Sequence, residues 1–389
     1  MTGSRIGACA FVVAVSLCFG LESRFSGLSS ARVGARWDTA FAADGALRYI
    51  PALSLNQPLS RSFALDLEAS ANAWASAGGR SFDAVETDWG IEPYRLWLRL
   101  AAAGFEARAG LQRISFGQAV LLRPLMWFDG LDPNDPLQLT SGVWGLLGRQ
   151  VFANNVNLWA WGLLGNEEPR GWEPLQSERW RPEVGGRVQT PVPAGELAAS
   201  WHYRRARLDW PVVRPPIIDT ARLKPAEHRF GLDAKLDLGV GVWLEAVAGF
   251  ARFDEEGRAV GADTLWPGWR RSACVGVDYT FGIGNGLTLA VEHFRLENAL
   301  GVLSRPEAGA RLTGLSAAYP LGLLDNLRGL VFFDWENSRI CRTLSWQHTL
   351  DRWSLNASAF WNPDSLPASG PVSGGGAGKG LALVVSYSH

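Results

Sequence analysis

Arginine and aspartate side chains are the residues whose types and spacing could most readily do chemistry in this chain. Arg95 and Arg99 lie four positions apart on one segment, and Arg108 lies on the next segment, which Ala103-Gly104 joins to the first. If the two segments form one antiparallel hairpin, alternate side chains share a face, and all three guanidinium groups lie on one patch. Such a patch creates a positive field that attracts and orients anions.

A 27-residue connection from Ser115 to Ser141 follows these arginines. Connections of this length in a compact domain generally carry a function or are disordered. Disorder is disfavoured by a run of large apolar residues, namely Leu121, Leu122, Leu125, Met126, Trp127 and Phe128. We therefore expect the loop 114–141 to fold inward and to place its aspartates opposite the arginine patch. The resulting candidate site comprises Arg95, Arg99, Arg108, Arg113, Arg123, Asp129, Asp132 and Asp135.

Two other interpretations of these charges stay open. Clustered carboxylates bind hard cations, so Asp129, Asp132 and Asp135 could hold calcium, although a spacing of three differs from the EF-hand pattern. Each charged residue taken alone could also form an ion pair with a neighbour and have no further role. The prediction is a field of opposed charges, with no metal site.

Enzymatic chemistry is poorly supported by the sequence. The five histidines have no evident nucleophile or acid beside them, and no Gly-x-Ser-x-Gly motif occurs. The absence of a Cys-x-x-Cys-His motif excludes covalent c-type haem. The chain is therefore predicted to be a non-enzyme without a cofactor.

Composition limits where such a protein can reside. Lys and Arg total 37 against 38 for Asp and Glu, which leaves no broad basic field for nucleic acid. Charged residues are 19% of the chain and hydrophobic residues 47%, a lower charge content than soluble domains usually have. Part of the exterior is therefore expected to face something other than water.

Alternation of apolar and polar residues runs along the chain. From Phe63 to Ala73, and again from Phe230 to Leu238, apolar residues at every second position are separated by polar ones. One face of each such strand is apolar, and the other face is polar and is expected to contact water. Aromatic residues on the apolar face near strand ends suit the two membrane interfaces and are Trp37, Phe41, Trp201, Tyr203, Tyr279, Phe281, Phe333, Trp335 and Trp361.

The alternating segments number about eighteen, most of roughly nine to twelve residues, the length at which a tilted strand crosses a bilayer. Connections after even-numbered segments are short, as at 103–104 and 351–352, whereas most of the others are long. Strands of this length with alternating short and long connections predict an all-β fold. The predicted architecture is a transmembrane antiparallel up-and-down β-barrel of 16 to 18 strands with short periplasmic turns and long extracellular loops. The alternative is a soluble all-β protein, which also alternates.

The N-terminus has the features of a secretory signal peptide over residues 1–20. Arg5 precedes an apolar run from Ile6 to Phe19, which is too short to span a membrane as a helix. Removal of this segment would leave a single barrel domain over 21–389. Cys274 and Cys341 would remain, on non-adjacent strands, so both are predicted to be free thiols.

The segment from Gly110 to Gly117, followed by Leu121-Leu122-Arg123, resembles the Gly-Arg-Gln-x-aliphatic-x-aromatic-Gly segment of alginate-export-type and related eighteen-stranded porins. Leu111 stands where that pattern has arginine. General porins also fold the loop after their fifth strand inward, a likeness at the level of fold. The resemblance implies an outer-membrane channel.

Two functions remain open at this stage. The first is a porin in the bacterial outer membrane, in contact with its lipid, that passes small polar or charged solutes. The second is a structural sheath around a periplasmic or lumen-threaded protein partner, such as a multihaem cytochrome, or an export pore for an anionic polysaccharide. A loop that fills the lumen favours the first, and a wide, clear lumen favours the second.

Overall fold

The structure is a computed structural model and describes residues 20–37, 41–79, 85–214, 217–255, 268–363 and 377–389. The predicted signal segment lies outside these ranges except for its last residue. The strands are β1 (Glu22–Trp37), β2 (Phe41–Pro58), β3 (Phe63–Gly79), β4 (Val85–Ala102), β5 (Phe105–Gln112), β6 (Val143–Val151), β7 (Asn157–Leu163), β8 (Gln176–Ser177), β9 (Glu183–Val192), β10 (Gly195–Arg214), β11 (Ile217–Leu223), β12 (Ala226–Asp237), β13 (Gly241–Arg252), β14 (Trp269–Phe281), β15 (Leu287–Ala299), β16 (Ala308–Pro320), β17 (Asp325–Asp334), β18 (Arg339–Leu350), β19 (Trp353–Trp361) and β20 (Lys379–Ser388).

Eighteen of these strands form one closed antiparallel barrel, which confirms the predicted fold class. Closure occurs where β1 pairs with β20 as well as with β2, so that Leu28 lies opposite Ser388. The two remaining strands, β8 and β11, pair only with the upper part of β10. A closed sheet has no free edge, and its strands therefore bond one another all the way around.

The two faces of the wall differ in polarity, as the alternation predicts. Leu232, Leu244 and Val275 point outward and are exposed, while Asp233 and Glu245, their neighbours along the strands, point inward and are buried. Large apolar side chains exposed over a whole surface are unfavourable in water. The outward face is therefore suited to lipid. No helix within the described ranges is long and apolar enough to cross a membrane.

Strand lengths vary more widely than the sequence predicted. They range in the wall from seven residues in β7 to twenty in β10. The predicted loop 77–91 is mostly strand, because β3 reaches Gly79 and β4 begins at Val85, and the predicted loop 206–227 contains the end of β10 and β11. A hairpin that continues past the bilayer still satisfies its own hydrogen bonds, but it no longer needs an apolar outer face.

The cysteine prediction is confirmed, because Cys274 and Cys341 are both free and buried. We expect thiol reagents to leave both unmodified in the folded protein and to label both after denaturation without reductant. Mass spectrometry of the labelled chain measures this. A denatured, unreduced chain without titratable thiol would mean that the two cysteines are joined.

Candidate functional site

The connection between β5 and β6, residues 113–142, runs through the interior of the barrel. Its side chains of Leu121 and Leu122 are almost completely buried. They pack in one apolar cluster with Phe294, Leu330 and Phe332, which lie on β15 and β17. Those strands are on the far side of the wall from β5, so the connection crosses the lumen.

Glu292, on β15, binds the crossing segment through its backbone. Its carboxylate accepts hydrogen bonds from the amides of Val120 at 2.6 Å, Leu121 at 3.0 Å and Leu122 at 2.6 Å. The indole Nε1 of Trp243 donates a fourth bond at 3.1 Å. The side chain is fully buried. A buried carboxylate is costly unless it is well bonded, and here three consecutive amides and one indole satisfy it.

Glu245, on β13, is a second anchor of the same kind. It is also fully buried and accepts from the amides of Gln118, of Ala119 at 2.7 Å and of Leu125 at 3.0 Å. Gly117 makes this approach possible, since it has a positive φ of 97° and a Cβ there would collide with the Glu245 carboxylate. Two carboxylates of the far wall thus hold the segment from Gln118 to Leu125.

The near end of the connection packs on aromatic side chains. Phe116 contacts Trp127 edge to face at 5.5 Å between ring centroids and stacks on Trp161 at 5.7 Å. Phe128 meets Trp161 at 5.5 Å. Aromatic pairs in these geometries add to the burial of their area. The connection is therefore packed at both ends of its path.

On the β4–β5 hairpin, Arg99 lies directly opposite Arg108. Their partners are acids of the wall. Arg99 contacts Asp66 at 2.7 Å and Glu106 at 3.4 Å, and Arg108 contacts Glu106 at 3.3 Å. These ion pairs leave less unbalanced charge than three free guanidinium groups would provide.

Arg95 has a different environment from the other two. It is buried and donates to the carbonyl oxygen of Thr140 at 2.9 Å and to its hydroxyl at 2.8 Å. Thr140 lies near the end of the crossing connection. Arg95 therefore ties the returning end of the connection to the wall.

The three aspartates form no ion pair with Arg95, Arg99 or Arg108 within the described residues. Asp129 pairs within the connection, with Arg123 at 3.0 Å, and with Arg113 at its base at 3.8 Å. Asp132 accepts from the amide of Asn134 at 2.8 Å, and Asp135 from the amides at 137 and 139. Short aspartate side chains bond nearby backbone readily, and that local preference determines their positions here.

Burial raises the pKa of the Asp132 carboxyl, although its bonds to Asn134 act in the opposite direction. The three aspartates do not form the calcium site that was the alternative. No group of three or more His, Cys, Asp or Glu side chains within the described ranges could hold a metal ion.

A second group of buried charges was not predicted as a unit. The connection 164–182 places Glu173 against Arg204 at 2.8 Å, Arg229 at 2.5 Å and Arg170 at 3.9 Å. Burial alone would raise the pKa of Glu173, but these three arginines outweigh it and hold the pKa below its ordinary value. The alternation of β10 and β12 marks Arg204 and Arg229 as inward-facing, but it carries no information on which loop meets them.

Inward-facing charged side chains differ in exposure from one side of the wall to the other. On the side that binds the connection, Glu245 and Glu292 are fully buried. On the side of β1, β2 and the base of the connection, the side chains of Arg32, Asp44 and Arg113 are 46%, 42% and 48% exposed. Solvent therefore reaches charged side chains beside β1, β2 and the base of the connection.

No protein-family model and no curated protein matches this sequence. Solved structures do. OccK2 (OpdF) of Pseudomonas aeruginosa is similar over 94% of this chain and 97% of that chain, with 13% identity and a TM-score of 0.56. OccK5 (OpdH) of the same organism is similar over 94% and 98%, with 13% identity and a TM-score of 0.53.

Outer-membrane expressed OmpT of Vibrio cholerae is similar over 95% of this chain and 98% of that chain, with 9% identity and a TM-score of 0.53. At these identities the likeness establishes the fold, that of outer-membrane barrels. The resemblance of residues 110–123 to alginate-export-type porins gains no support from these comparisons.

Proposed function

We propose that the protein is a channel of the bacterial outer membrane through which small polar or charged solutes diffuse passively. The observation that carries the proposal is a closed wall, apolar outside, around a lumen in which the connection packs on the far wall while the inward-facing Arg32, Asp44 and Arg113 stay exposed. Barrels of this strand number are wide enough for an aqueous channel. The crossing connection 113–142 narrows the lumen to a passage beside β1, β2 and Arg113.

The packed connection favours a channel over a sheath. A sheath for a threaded protein, or an export pore for a polymer, needs most of the lumen cross-section. Here Glu245 and Glu292 fix the connection across it, and Leu121 and Leu122 fill the space behind. Small solutes need only the remaining passage.

Solute entry into proteoliposomes tests the proposal. Liposomes that contain the refolded protein should swell in solutions of small sugars and amino acids, with rates that fall steeply as the solute becomes larger. Boiled protein in the same lipid is the control. Absence of swelling with the smallest solutes would contradict the channel and favour the sheath.

Charge selectivity should depend on the arginines that remain in contact with water. Removing Arg99 and Arg113 together, as Arg99→Ala with Arg113→Ala, should shift selectivity towards cations about twofold or more, because clustered charge in a low-dielectric wall sets the local ion concentration. The reversal potential across a planar bilayer in a potassium chloride gradient measures this.

The matched control is Arg61→Ala, in the exposed turn 59–62 outside the lumen. It should leave the reversal potential unchanged. Equal reversal potentials in the double variant and the unmodified protein would place Arg99 and Arg113 away from the ion path.

A further inference from the structure

Three arginines face outward near the long-loop ends of neighbouring strands. They are Arg271 on β14, Arg295 on β15 and Arg311 on β16. Each lies four residues from an exposed apolar residue on the same outer face, and those residues are Val275, Val291 and Leu315. The three guanidinium groups therefore lie at the edge of the apolar band.

Arg295 and Arg311 are directly opposite each other in the strand register. Like charges in this position repel and destabilise a sheet unless something neutralises them. The two side chains remain 56% and 51% exposed. Their placement is explained if an anion from outside the protein completes the cluster.

Within the described residues, the acids that pair with the cluster are too few to neutralise it. Glu297 pairs with Arg271 at 2.8 Å and also contacts Arg295. Glu336 pairs with Arg311 at 2.8 Å. Among the residues that the structure describes, three guanidinium groups and two paired carboxylates leave an excess of positive charge at this place.

The depth of the cluster matches a membrane interface. Trp335 is exposed on the outer face, and its amide bonds the carbonyl oxygen of Arg311 at 2.9 Å. Exposed tryptophan side chains beside an apolar band mark the level of lipid headgroups. The arginines thus lie where headgroup phosphates lie, with Val275 and Leu315 below them to contact acyl chains.

The opposite ends of the same strands differ. Outward positions near the short-turn rim of β14 to β18 are mostly aromatic or aliphatic, and the large ones are Tyr279, Phe281, Tyr319, Trp346 and Leu350. The charged groups there include Asp325, which pairs with His348 at 2.8 Å, and Arg352 in the turn after β18, so the described residues of this rim hold no cluster of guanidinium groups. A general affinity for bilayers would not need this asymmetry. It points to an anionic lipid in only one leaflet.

We propose that Arg295 and Arg311 bind the phosphate of a lipid headgroup in the leaflet at the long-loop rim. Arg271, which donates to Glu297 and to the carbonyl oxygens of Val302 and Ser304, adds positive charge beside them. The inference rests on the proposed outer-membrane location. Arginine suits this role, because its planar guanidinium binds phosphate oxygens in pairs and is weakly hydrated. The same chemistry could accept free phosphate, and the apolar surface below distinguishes a lipid from it.

Lipid binding to the delipidated protein in detergent tests the proposal. Native mass spectrometry with diphosphoryl lipid A should show binding to the unmodified protein that is about tenfold or more tighter than to the double variant Arg295→Gln with Arg311→Gln. The control Arg342→Gln, an outward position on β18 two strands away, should bind like the unmodified protein.

A second variant keeps the positive charge. Arg295→Lys with Arg311→Lys loses paired phosphate contacts and should bind with intermediate affinity. Phosphatidylcholine should not discriminate among the variants, and millimolar inorganic phosphate should not displace lipid A. Slower migration of each protein after boiling on a semi-native gel confirms that it was folded.

Equal lipid A affinity in the unmodified protein and the double glutamine variant would overturn the site. Inorganic phosphate that binds alone and displaces lipid A would show that the cluster takes a free anion instead. Binding is measured in detergent, so it does not depend on ion conduction. If the protein conducts ions but fails the lipid test, only the lipid-binding proposal is wrong. If it does not conduct ions, the proposed channel function is wrong.

Discussion

A barrel that lacks residues 119–136 is expected to have a single-channel conductance about twofold or more above that of the unmodified protein. These residues carry Leu121, Leu122 and the backbone amides that bind Glu292. Their removal opens the half of the lumen that they fill. A short glycine-serine linker keeps the ends joined, and planar-bilayer recording in potassium chloride measures the change.

The control for this deletion shortens the turn 321–324 at the short-turn rim, whose four residues are all exposed. Its conductance should equal that of the unmodified protein. Both variants should migrate more slowly after boiling, which shows that the barrel had formed. Unchanged conductance of the 119–136 deletion would place the connection outside the ion path.

Replacing Glu292 with alanine is expected to release the connection from the far wall. The change leaves the amides of Val120, Leu121 and Leu122 and the Trp243 indole without their acceptor. Each buried donor left unpaired costs about 1–3 kcal/mol, so the free energy that keeps the connection docked should fall by several kcal/mol. Glu292→Gln keeps one acceptor oxygen and should have an intermediate effect.

Limited proteolysis measures the release. Leu121 is buried in the docked connection. Chymotrypsin should therefore cut after Leu121 much faster in Glu292→Ala than in the unmodified protein, with the barrel otherwise intact. The control is Asp44→Ala, a lumen-facing acid that pairs with Arg32 on the opposite side. Cleavage after Leu121 that is equally slow in all three proteins would show that Glu292 does not hold the connection.

The fold class could be predicted from the sequence because lipid requires an apolar side chain at every second position of each membrane-spanning strand. The alternation from Phe230 to Leu238 marks β12, and the structure places the exposed Phe230 and Leu232 on the outer face. The rule weakens where lipid is absent or outward residues are small. β1 begins at Glu22, ahead of the predicted 31, because its outward Gly27 and Ser29 give no apolar signal.

The site was only partly predictable. Arg99 and Arg108 share a patch because a two-residue turn fixes their register. Glu245 and Glu292 were recognisable only as inward-facing charges. Glu292 meets an amide 172 positions away. No periodic pattern encodes a contact across the lumen, and the aspartates followed local backbone bonding instead of the long-range charge pairing that was expected.

The most direct test of a channel narrowed at the connection 113–142 uses a bulky thiol reagent. Single-channel current is recorded before and after the reagent, for the unmodified protein and for Arg113→Cys. We expect discrete ohmic steps from both proteins. The reagent should leave the unmodified current unchanged, because Cys274 and Cys341 are buried. It should sharply reduce the current of the variant, because residue 113 lies beside the remaining passage. A protein that inserts without conducting, or a variant whose current is insensitive to the reagent, would contradict a channel narrowed at this connection.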